Sequence, residues 1–248
     1  MCTLVLAWQV FDDSPVVVAA NRDEALGRPS EPPAVYQSAP RTIAPRDSEA
    51  GGTWIGYNEH GLCVGITNRW VDLDGQRSRG RLVADCLGAS SATVAIDHVR
   101  DATAVDDYAG FNLVVADREQ AALLEWDGAL RVTDFDPGVH VVVNVGADGA
   151  FFEPPPRPAM GRQQAANATA VREALRWADT ESRDAWLDRA KATLGDHDYG
   201  VCVHGDGFGT RSASVIVLTE TDDGYIDQYW FADGPPCRTT FRRVESSI

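Results

Sequence analysis

Lysine is almost absent from this sequence, and the scarcity of positive charge limits what the protein can bind. Lys191 is the single lysine among 248 residues, and arginine supplies the rest of the 22 basic residues against 37 acidic ones. The formal net charge is −15. Nonspecific binding to nucleic acid or to an anionic membrane surface requires clustered positive charge, so both partners are disfavoured. The balance instead predicts a salt-adapted, halophilic type of protein with a hydrated acidic surface, which cooperative folding in dilute buffer would contradict.

The sequence also lacks the spacings of disulfide-stapled and metal-binding folds. Its cysteines are Cys2, Cys63, Cys86, Cys202 and Cys237. Their number is odd, they include no CxxC pair, and none of the five histidines lies in a metal-binding motif. We therefore predict no disulfide framework, no metal site and no cofactor.

Long apolar runs are missing as well. No run approaches the roughly 20 residues of a membrane-spanning helix. The first residues lack the basic segment and the longer apolar run of a secretory signal. We therefore expect a cytoplasmic protein without membrane insertion, folded as one domain over 1–248.

Predicted strands and helices follow one another in blocks. β-rich runs cover 3–10, 16–20, 53–57, 62–67, 111–117, 121–126, 130–135, 139–143, 199–204, 213–219 and 225–231, and helical patterns cover 78–88, 91–101, 160–178 and 182–194. Residues 26–50, rich in Pro, Ser and Ala, are predicted as a long loop. Without regular βαβ alternation, hairpin-linked strands indicate antiparallel sheets. We predict an α+β fold, a four-layer αββα sandwich of two mostly antiparallel sheets, with a two-layer α+β domain as the alternative.

Cys2 is the candidate nucleophile. Removal of Met1 by a methionine aminopeptidase would leave a first residue that carries both a thiol and a free α-amine. An α-amine has a pKa of about 7.7–8.0, so it can act as general base for its own side chain near neutral pH. The alternative is that Cys2 is only a small apolar residue at the start of a strand, because free cysteine packs as a hydrophobe.

A polar cluster follows the second predicted strand. Alternation along a strand places Asn21 and Asp23 on one face and Arg22 on the other. A carboxylate would orient a terminal amine, and an arginine near the thiol would lower the pKa of that thiol. The alternative is a polar strand end with surface ion pairs of little energetic consequence.

Other polar residues stand where later strands begin or end. Asn68 ends one strand and could donate its side-chain N–H to a developing oxyanion, while Asn144 ends another strand and Arg211 precedes a strongly apolar one. Turn chemistry is the alternative for the asparagines. Trp54 and Trp70 flank Asn68 in sequence and could line an acyl pocket.

A local basic cluster lies between residues 69 and 81. It comprises Arg69, Arg77, Arg79 and Arg81. In so acidic a protein these guanidinium groups could bind a carboxylate or a phosphate, and Arg69 is the candidate substrate contact. A solvated loop whose charges offset neighbouring acids is the alternative.

Taken together, these segments resemble the NRDE family, also called the Transport and Golgi organisation 2 family. The matching segments are Met1-Cys2-Thr3, the run 19–24, Arg28-Pro29, 51–56, Thr67-Asn68, 78–80, 110–113, Asn144 and 207–212. They are collinear and span residues 1 to about 219. The family is in turn distantly similar to the N-terminal-nucleophile hydrolases of the choloylglycine hydrolase and penicillin V acylase group, which cut linear amides.

This resemblance implies the αββα fold and a set of site residues. Cys2 matches the nucleophile and Asp23 the aspartate that holds the α-amine. Asn68 matches the oxyanion-hole asparagine, Asn144 a second site asparagine, and Arg211 an arginine late in the chain. The acylases read Arg-Asn-x-Asp where this chain reads Ala-Asn-Arg-Asp at 20–23, so the arginine is displaced by two positions along the strand.

Two functions from different classes follow. The first is an amidohydrolase or acyl-transfer enzyme acting on a linear amide, or a thioester, of a small acylated metabolite. In it, Cys2, Arg22, Asp23, Asn68, Asn144 and Arg211 are catalytic, and Asn21, Trp54, Arg69 and Trp70 bind substrate. The second is a non-catalytic carrier of haem or of acyl-CoA and related lipids on the same scaffold. Neither reading fixes the oligomeric state.

Overall fold

The computed structural model describes residues 2–178, 180–222 and 224–245. The strands are β1 (Thr3–Phe11), β2 (Ser14–Ala25), β3 (Ser30–Ser38), β4 (Arg41–Asp47), β5 (Ile55–Asn58), β6 (Cys63–Asn68), β7 (Phe111–Ala116), β8 (Ala121–Trp126), β9 (Leu130–Asp134), β10 (Gly138–Val143), β11 (Gly146–Ala147), β12 (Ala150–Phe151), β13 (Phe208–Thr221), β14 (Gly224–Ala232) and β15 (Arg242–Arg243). The helices are α1 (Arg79–Cys86), α2 (Ala92–Val105), α3 (Pro158–Ala174) and α4 (Arg183–Gly195), and a 3-10 turn covers His197–Tyr199.

Two sheets contain these strands. The first has the order β12-β11-β10-β1-β2-β13-β14-β15, and the second has the order β3-β4-β5-β6-β7-β8-β9. All ladders between named strands in the described residues are antiparallel, as the hairpin pattern predicts. The second sheet is a simple meander, whereas β10 and β13 come from distant parts of the chain to flank the β1–β2 hairpin.

The period-2 alternation of β1 and β2 explains how the layers pack. Leu6 and Val18 point from the first sheet into a core shared with Ile55 and Val114 of the second sheet. On the opposite face, Val5 and its neighbours contact α3 and α4. Each central strand of the first sheet is therefore apolar on both faces.

Each sheet carries its own pair of helices. Trp186 of α4 and Val171 of α3 are fully buried against the outer face of the first sheet. Leu82 of α1 and Ile96 of α2 pack in the same way on the outer face of the second sheet. The predicted four-layer αββα sandwich is thus confirmed, and the two-layer alternative is wrong.

The predicted long loop over 26–50 is incorrect, because this segment contains β3 and β4. Proline lacks an N–H, so it is confined to edge strands and bulges, and a proline-rich segment resembles a loop in sequence. β3 is the edge strand of its sheet, and its pairing register shifts between Glu31 and Ala34, where Pro32 and Pro33 lie. The edge position tolerates what a central strand would not.

The predicted strand over 199–204 is also wrong. In its place the 3-10 turn leads into an irregular segment with one isolated bridge, between His204 and Gly209. Side chains satisfy backbone groups that a ladder would otherwise use. The carbonyl of Val201 accepts from Asn21 Nδ2, and the N–H of Val203 donates to Thr210 Oγ1.

The remaining predicted elements agree with the structure to within a few residues at most boundaries. The described part of the chain holds no helix long and apolar enough to cross a membrane.

Candidate active site

Cys2 lies at the end of the first sheet, directly before β1. Thr3 pairs with Asn21 of β2 and with Val143 of β10. Because both pairings are antiparallel, Cys2 lies between the next residues of those strands, Arg22 and Asn144. Its backbone nitrogen donates to Asn144 Oδ1 at 3.0 Å, and its Sγ donates to the carbonyl of Asp23 at 3.6 Å. Both the backbone and the thiol of Cys2 are therefore anchored by predicted site residues.

Asn144 connects Cys2 to both sheets and to a helix. Its Oδ1 accepts a second hydrogen bond, from Gln164 Nε2 at 2.8 Å, and its Nδ2 donates to the carbonyl of Asn68 at 2.6 Å. The side chain is 2% exposed. An amide held on three sides cannot rotate without breaking buried hydrogen bonds, so Asn144 fixes the position of the Cys2 nitrogen.

Gln164 is a site-supporting residue that the sequence analysis missed. It is buried on α3, on the apolar face that also carries Gly161, Ala168 and Val171. A glutamine at a core position of an amphipathic helix is the signal that would have singled it out, because buried polar side chains need partners.

Asp23 lies on β2 and is held by the neighbouring strand. Thr210 Oγ1 donates to Asp23 Oδ1 at 2.5 Å, and the carboxylate is 4% exposed. Burial raises the pKa of Asp23 above its ordinary value.

The Cys2 thiol itself is held in its neutral form. Burial, and then the negative charge of Asp23, raise the pKa of Cys2 above that of an ordinary thiol. The Arg22 guanidinium acts in the opposite direction on that pKa, but as a smaller cause. The thiol therefore needs a base before it can act as a nucleophile near neutral pH.

Arg22 occupies the other face of β2, as strand alternation predicts. Its Cζ lies 4.0 Å from the centre of the Trp54 ring, and its Nη2 is 3.8 Å from carboxylate oxygens of both Glu24 and Asp47. Its Nη1 is buried and has no hydrogen-bond partner among the described residues. Burial lowers the pKa of Arg22.

Ala20 lies on the same face of the strand as Arg22. With Cys2, Arg22 and Trp54 it encloses a cavity of about 20 Å³ between the sheets. A space of this size holds roughly one water molecule. The small alanine side chain leaves this space open beside the thiol.

A larger cavity opens on the other side of Cys2. It measures about 680 Å³, and its walls include Cys2, Asp23, Asn68, Trp70 and Asn144. Asn68 is exposed to it, and the Asn68 side-chain amide has no hydrogen-bond partner within the described ranges. An unoccupied amide N–H beside a thiol is a suitable donor to an oxyanion.

A third cavity, of about 370 Å³, adjoins the 680 Å³ cavity at Asn68 and Arg79. Its walls carry the arginines Arg22, Arg28, Arg77 and Arg79 and the acids Glu24 and Asp47. Arg79, at the start of α1, donates to the carbonyl of Gly110 at 2.8 Å and has no carboxylate at ion-pair distance in the described chain. Burial lowers the pKa of Arg79. We name this space the arginine cleft.

The structure does not bring Asn21 to the large cavity. Its Nδ2 donates to the carbonyls of Leu194 and Val201, both at 2.9 Å, and the residue is 2% exposed. Asn21 thus ties β2 to α4 and to the segment after it, and it also lines the small cavity beside Cys2.

Arg69 is compensated by acids rather than left for a ligand. Its Nη1 donates to Glu125 at 2.6 Å and to Asn112 at 2.9 Å, its Nε is 3.7 Å from Asp127, and its guanidinium covers the ring of Phe152. It borders the large cavity, but its charge is already paired. Arg79 and Arg81, from the same sequence cluster, have no carboxylate at ion-pair distance among the described residues, and Arg79 borders the cavity that Cys2 lines.

Arg211 lies apart from Cys2. It sits where the register between β2 and β13 shifts, and a bulge changes the direction of its side chain. Its Nη2 is 3.5 Å from the carbonyl of Arg28, and it borders a different cavity, with His204 and Arg238. Trp54 and Trp70, by contrast, line the cavities beside Cys2.

The sequence matches a known protein family over most of its length. The family model described as Transport and Golgi organisation 2 matches residues 1–226. Transport and Golgi organization protein 2 homologs from Bos taurus and Homo sapiens are each 28% identical over 249 residues, covering 87% of this chain and 88% of the homolog.

Two solved structures with the same fold are titled as an amidase and as a hydrolase. A Caenorhabditis elegans N-acylethanolamine-hydrolyzing acid amidase ortholog superposes with a TM-score of 0.57 at 13% identity, over 87% of this chain and 92% of that one. A variant of the conjugated bile acid hydrolase from Clostridium perfringens superposes with a TM-score of 0.55 at 11% identity, over 98% of this chain and 92% of that one. The predicted likeness to N-terminal-nucleophile hydrolases is confirmed at the level of the fold.

Proposed function

The chain belongs to the Transport and Golgi organisation 2 family, and we propose that it is a cysteine hydrolase or acyl-transfer enzyme acting on a linear amide or thioester of a small acylated metabolite. The observation that carries the proposal is the anchoring of Cys2. Its nitrogen donates to Asn144, its thiol donates to the Asp23 carbonyl, and Cys2 and Asp23 line a cavity of about 680 Å³. The two solved structures, titled as an amidase and as a hydrolase of conjugated bile acids, support this reaction class.

The mechanism begins with removal of Met1, which converts the Cys2 nitrogen into an α-amine. The amine takes the proton of the thiol, and Sγ attacks the carbonyl carbon of the substrate. The tetrahedral intermediate then expels its amine or thiol, which leaves with the proton held by the Cys2 ammonium. Water, or a second nucleophile, finally attacks the thioester on Sγ and regenerates the thiol. Because burial raises the thiol pKa, the adjacent amine is the base that makes this sequence possible near pH 7.

Three residues support these steps. Asn144 holds the nitrogen in place, and the Asp23 carboxylate lies near enough to the thiol for its charge to raise the thiol pKa. The exposed amide of Asn68 borders the same cavity as Cys2, where it can donate to the oxyanion. Positioning of this kind contributes several kcal/mol to catalysis, since one oxyanion donor accounts for about 3–4 kcal/mol in well-studied hydrolases.

The arginine cleft narrows the substrate class. Arg79 and Arg22 line a space that adjoins the Cys2 cavity. Guanidinium groups bind carboxylates and phosphates through charge-assisted hydrogen bonds. We therefore propose that the substrate carries an anionic group on one side of its scissile bond, while Trp70 contacts the acyl side.

A carrier protein is the second candidate. The observation in its favour is Ala20, a small side chain beside Cys2 where the acylases carry an arginine. A carrier of haem or acyl-CoA would use the arginine cleft for the anionic groups of its ligand. Such a protein would gain thermal stability from the ligand and release no product.

We place either activity in the cytoplasm. All five cysteines are free, although Cys202 and Cys237 lie near each other in the fold. Free thiols are typical of a reducing compartment.

The test compares turnover in three proteins. Wild type, Cys2→Ala and Cys63→Ala are incubated with N-acyl amino acids, N-acylethanolamines and acyl-CoAs, and products are followed by mass spectrometry. Cys63 is the matched control, because its thiol is buried between the sheets away from the cavity. The hydrolase proposal expects turnover in wild type and Cys63→Ala and none in Cys2→Ala. Equal turnover in all three proteins, or a thermal shift without product, would overturn it.

A further inference from the structure

Two histidines and two cysteines come together next to the cavity that Cys2 lines, since Val203, which stands between two of them in the chain, also lines that cavity. One ring nitrogen of each histidine and the sulfur atom of each cysteine all lie within 4.8 Å of one another. They are His197, Cys202, His204 and Cys237. The first three belong to the 3-10 turn and the segment after it, and Cys237 follows β14. We name this group the His–Cys cluster.

The separations suit one central ion. His204 Nε2 is 3.1 Å from Cys237 Sγ and 3.7 Å from Cys202 Sγ. Around a tetrahedral zinc ion, bond lengths of about 2.3 Å to sulfur and 2.0–2.1 Å to nitrogen place neighbouring ligand atoms about 3.3–3.8 Å apart. His197 is adjacent, with its ring centre 5.2 Å from that of His204. Small side-chain rotations would complete the tetrahedron.

We propose that the His–Cys cluster binds one transition-metal ion, with Zn²⁺ as the metal that its donor set fits best. Two thiolates and two imidazoles in a tetrahedron are the donor set of structural zinc sites. On binding, both cysteines release their thiol protons and both histidines bind as neutral imidazoles. Four protein ligands leave no open position, so the ion has a structural role rather than a catalytic one.

The sequence analysis predicted no metal site, because these four residues form no recognisable motif along the chain. Cys237 is 33 residues from His204 in the chain, so no short motif contains all four ligands. Cys237 also lies beyond residue 226, where the match to the family model ends. The proposed site therefore does not follow from membership of the family.

The ion would fasten the segment that supports the candidate active site. Val203, between two ligands, donates its N–H to Thr210 Oγ1, and Thr210 in turn donates to Asp23. The carbonyl of Val201 accepts from Asn21 on β2. Loss of the ion would thus loosen the C-terminal segment and the support behind Asp23 together.

Metal content is the first test. The full chain is purified without a tag under reducing, anaerobic conditions, and bound metals are measured by mass spectrometry before and after addition of Zn²⁺. We expect one zinc ion per chain in wild type and in the controls Cys2→Ser and His60→Ala. We expect loss of that ion in Cys237→Ser and in His197→Ala. His197 and His60 are both exposed, so the matched histidine variants keep the test valid if Cys237→Ser fails to fold.

Cobalt substitution is the second test. Replacement of zinc by Co²⁺ should produce the intense visible bands of tetrahedral coordination and a sulfur-to-cobalt charge-transfer band, both absent from Cys237→Ser. A chain that binds no stoichiometric Zn²⁺ or Co²⁺ would overturn the proposal. So would a disulfide between Cys202 and Cys237 that forms under these reducing conditions. Neither result would affect the proposed role of Cys2, because the two sites share no ligand.

Discussion

Substitution of Asn144 by alanine separates the positioning of Cys2 from general stability. The change removes three buried hydrogen bonds, to the Cys2 nitrogen, to Gln164 and to the carbonyl of Asn68. A buried group left without a partner costs about 1–3 kcal/mol, and partial relaxation lowers the sum. We expect the free energy of unfolding to fall by about 2–4 kcal/mol.

Asn112 provides a matched control. Its side chain is fully buried and also makes three hydrogen bonds, to the carbonyl of Val143, to Thr67 and to Arg69. Unlike Asn144, Asn112 makes none of these three hydrogen bonds to Cys2. Asn112→Ala should therefore lose a similar amount of stability, and urea unfolding followed by circular dichroism measures both losses.

The two variants should differ in chemistry. Acylation of Cys2 is followed as the burst of p-nitrophenol released from p-nitrophenyl acetate, at urea-free conditions where both variants are folded. Misplacement of a reacting group by about 1 Å can reduce a rate about 10²-fold. We expect a loss of that order in Asn144→Ala and less than about threefold in Asn112→Ala. Equal burst rates in the two variants would refute the positioning role of Asn144.

Substitutions of Asp23, Asn21 and Gly52 probe the charge, the hydrogen bonds and the packing around the candidate site. In the chain that retains Met1, Asp23→Asn should lower the apparent pKa of Cys2 alkylation by iodoacetamide, because the charge of Asp23 raises the pKa of that thiol. Asn21→Ala should lower the free energy of unfolding by about 1–3 kcal/mol, measured in urea, because two buried carbonyls lose their donor. Gly52→Ala should lower the melting temperature and weaken binding of anions in the arginine cleft, because the added Cβ would lie 2.2 Å from the backbone of Gly80.

Control measurements distinguish these three effects from a general loss of structure. An unchanged or raised alkylation pKa in Asp23→Asn would contradict the electrostatic reasoning. Asn68→Ala should leave stability within about 0.5 kcal/mol of wild type, since the Asn68 side chain is exposed; a loss as large as that of Asn21→Ala would contradict the contrast. Gly27→Ala, where an added Cβ meets no atom within 4 Å, should behave like wild type, and an equal loss there would remove the packing explanation.

Local pattern was enough to predict most of the fold. The β1–β2 hairpin, the helices on each sheet and the four layers follow from alternation, turn residues and blocks of helical periodicity. The errors came where tertiary context overrides local composition. The prolines of β3 are tolerated because that strand lies at an edge, and residues 199–204 are irregular because Asn21 and Thr210 bind backbone groups there.

The candidate site was predictable only in part for a related reason. Cys2, Asp23, Asn68 and Asn144 stand at strand ends, and the structure gathers them around one cavity. Arg211 does not join them, because the sequence does not reveal the bulge that turns it away.

Residues outside that set depend on long-range placement. Gln164 reaches Asn144 from a helix 20 residues later in the chain. The four residues of the His–Cys cluster come from two separate segments. Such contacts are set by packing between elements rather than by any local pattern.

The intact mass of the untagged chain tests the central claim most directly. The protein is expressed in a native-like host, and its mass is measured before and after brief exposure to an acylating substrate. We predict complete loss of Met1, followed by one acyl group on Cys2 that disappears as the thioester turns over. A chain that keeps Met1 and acquires no adduct on Cys2 would contradict the account, because its thiol would then have neither a base nor a reaction.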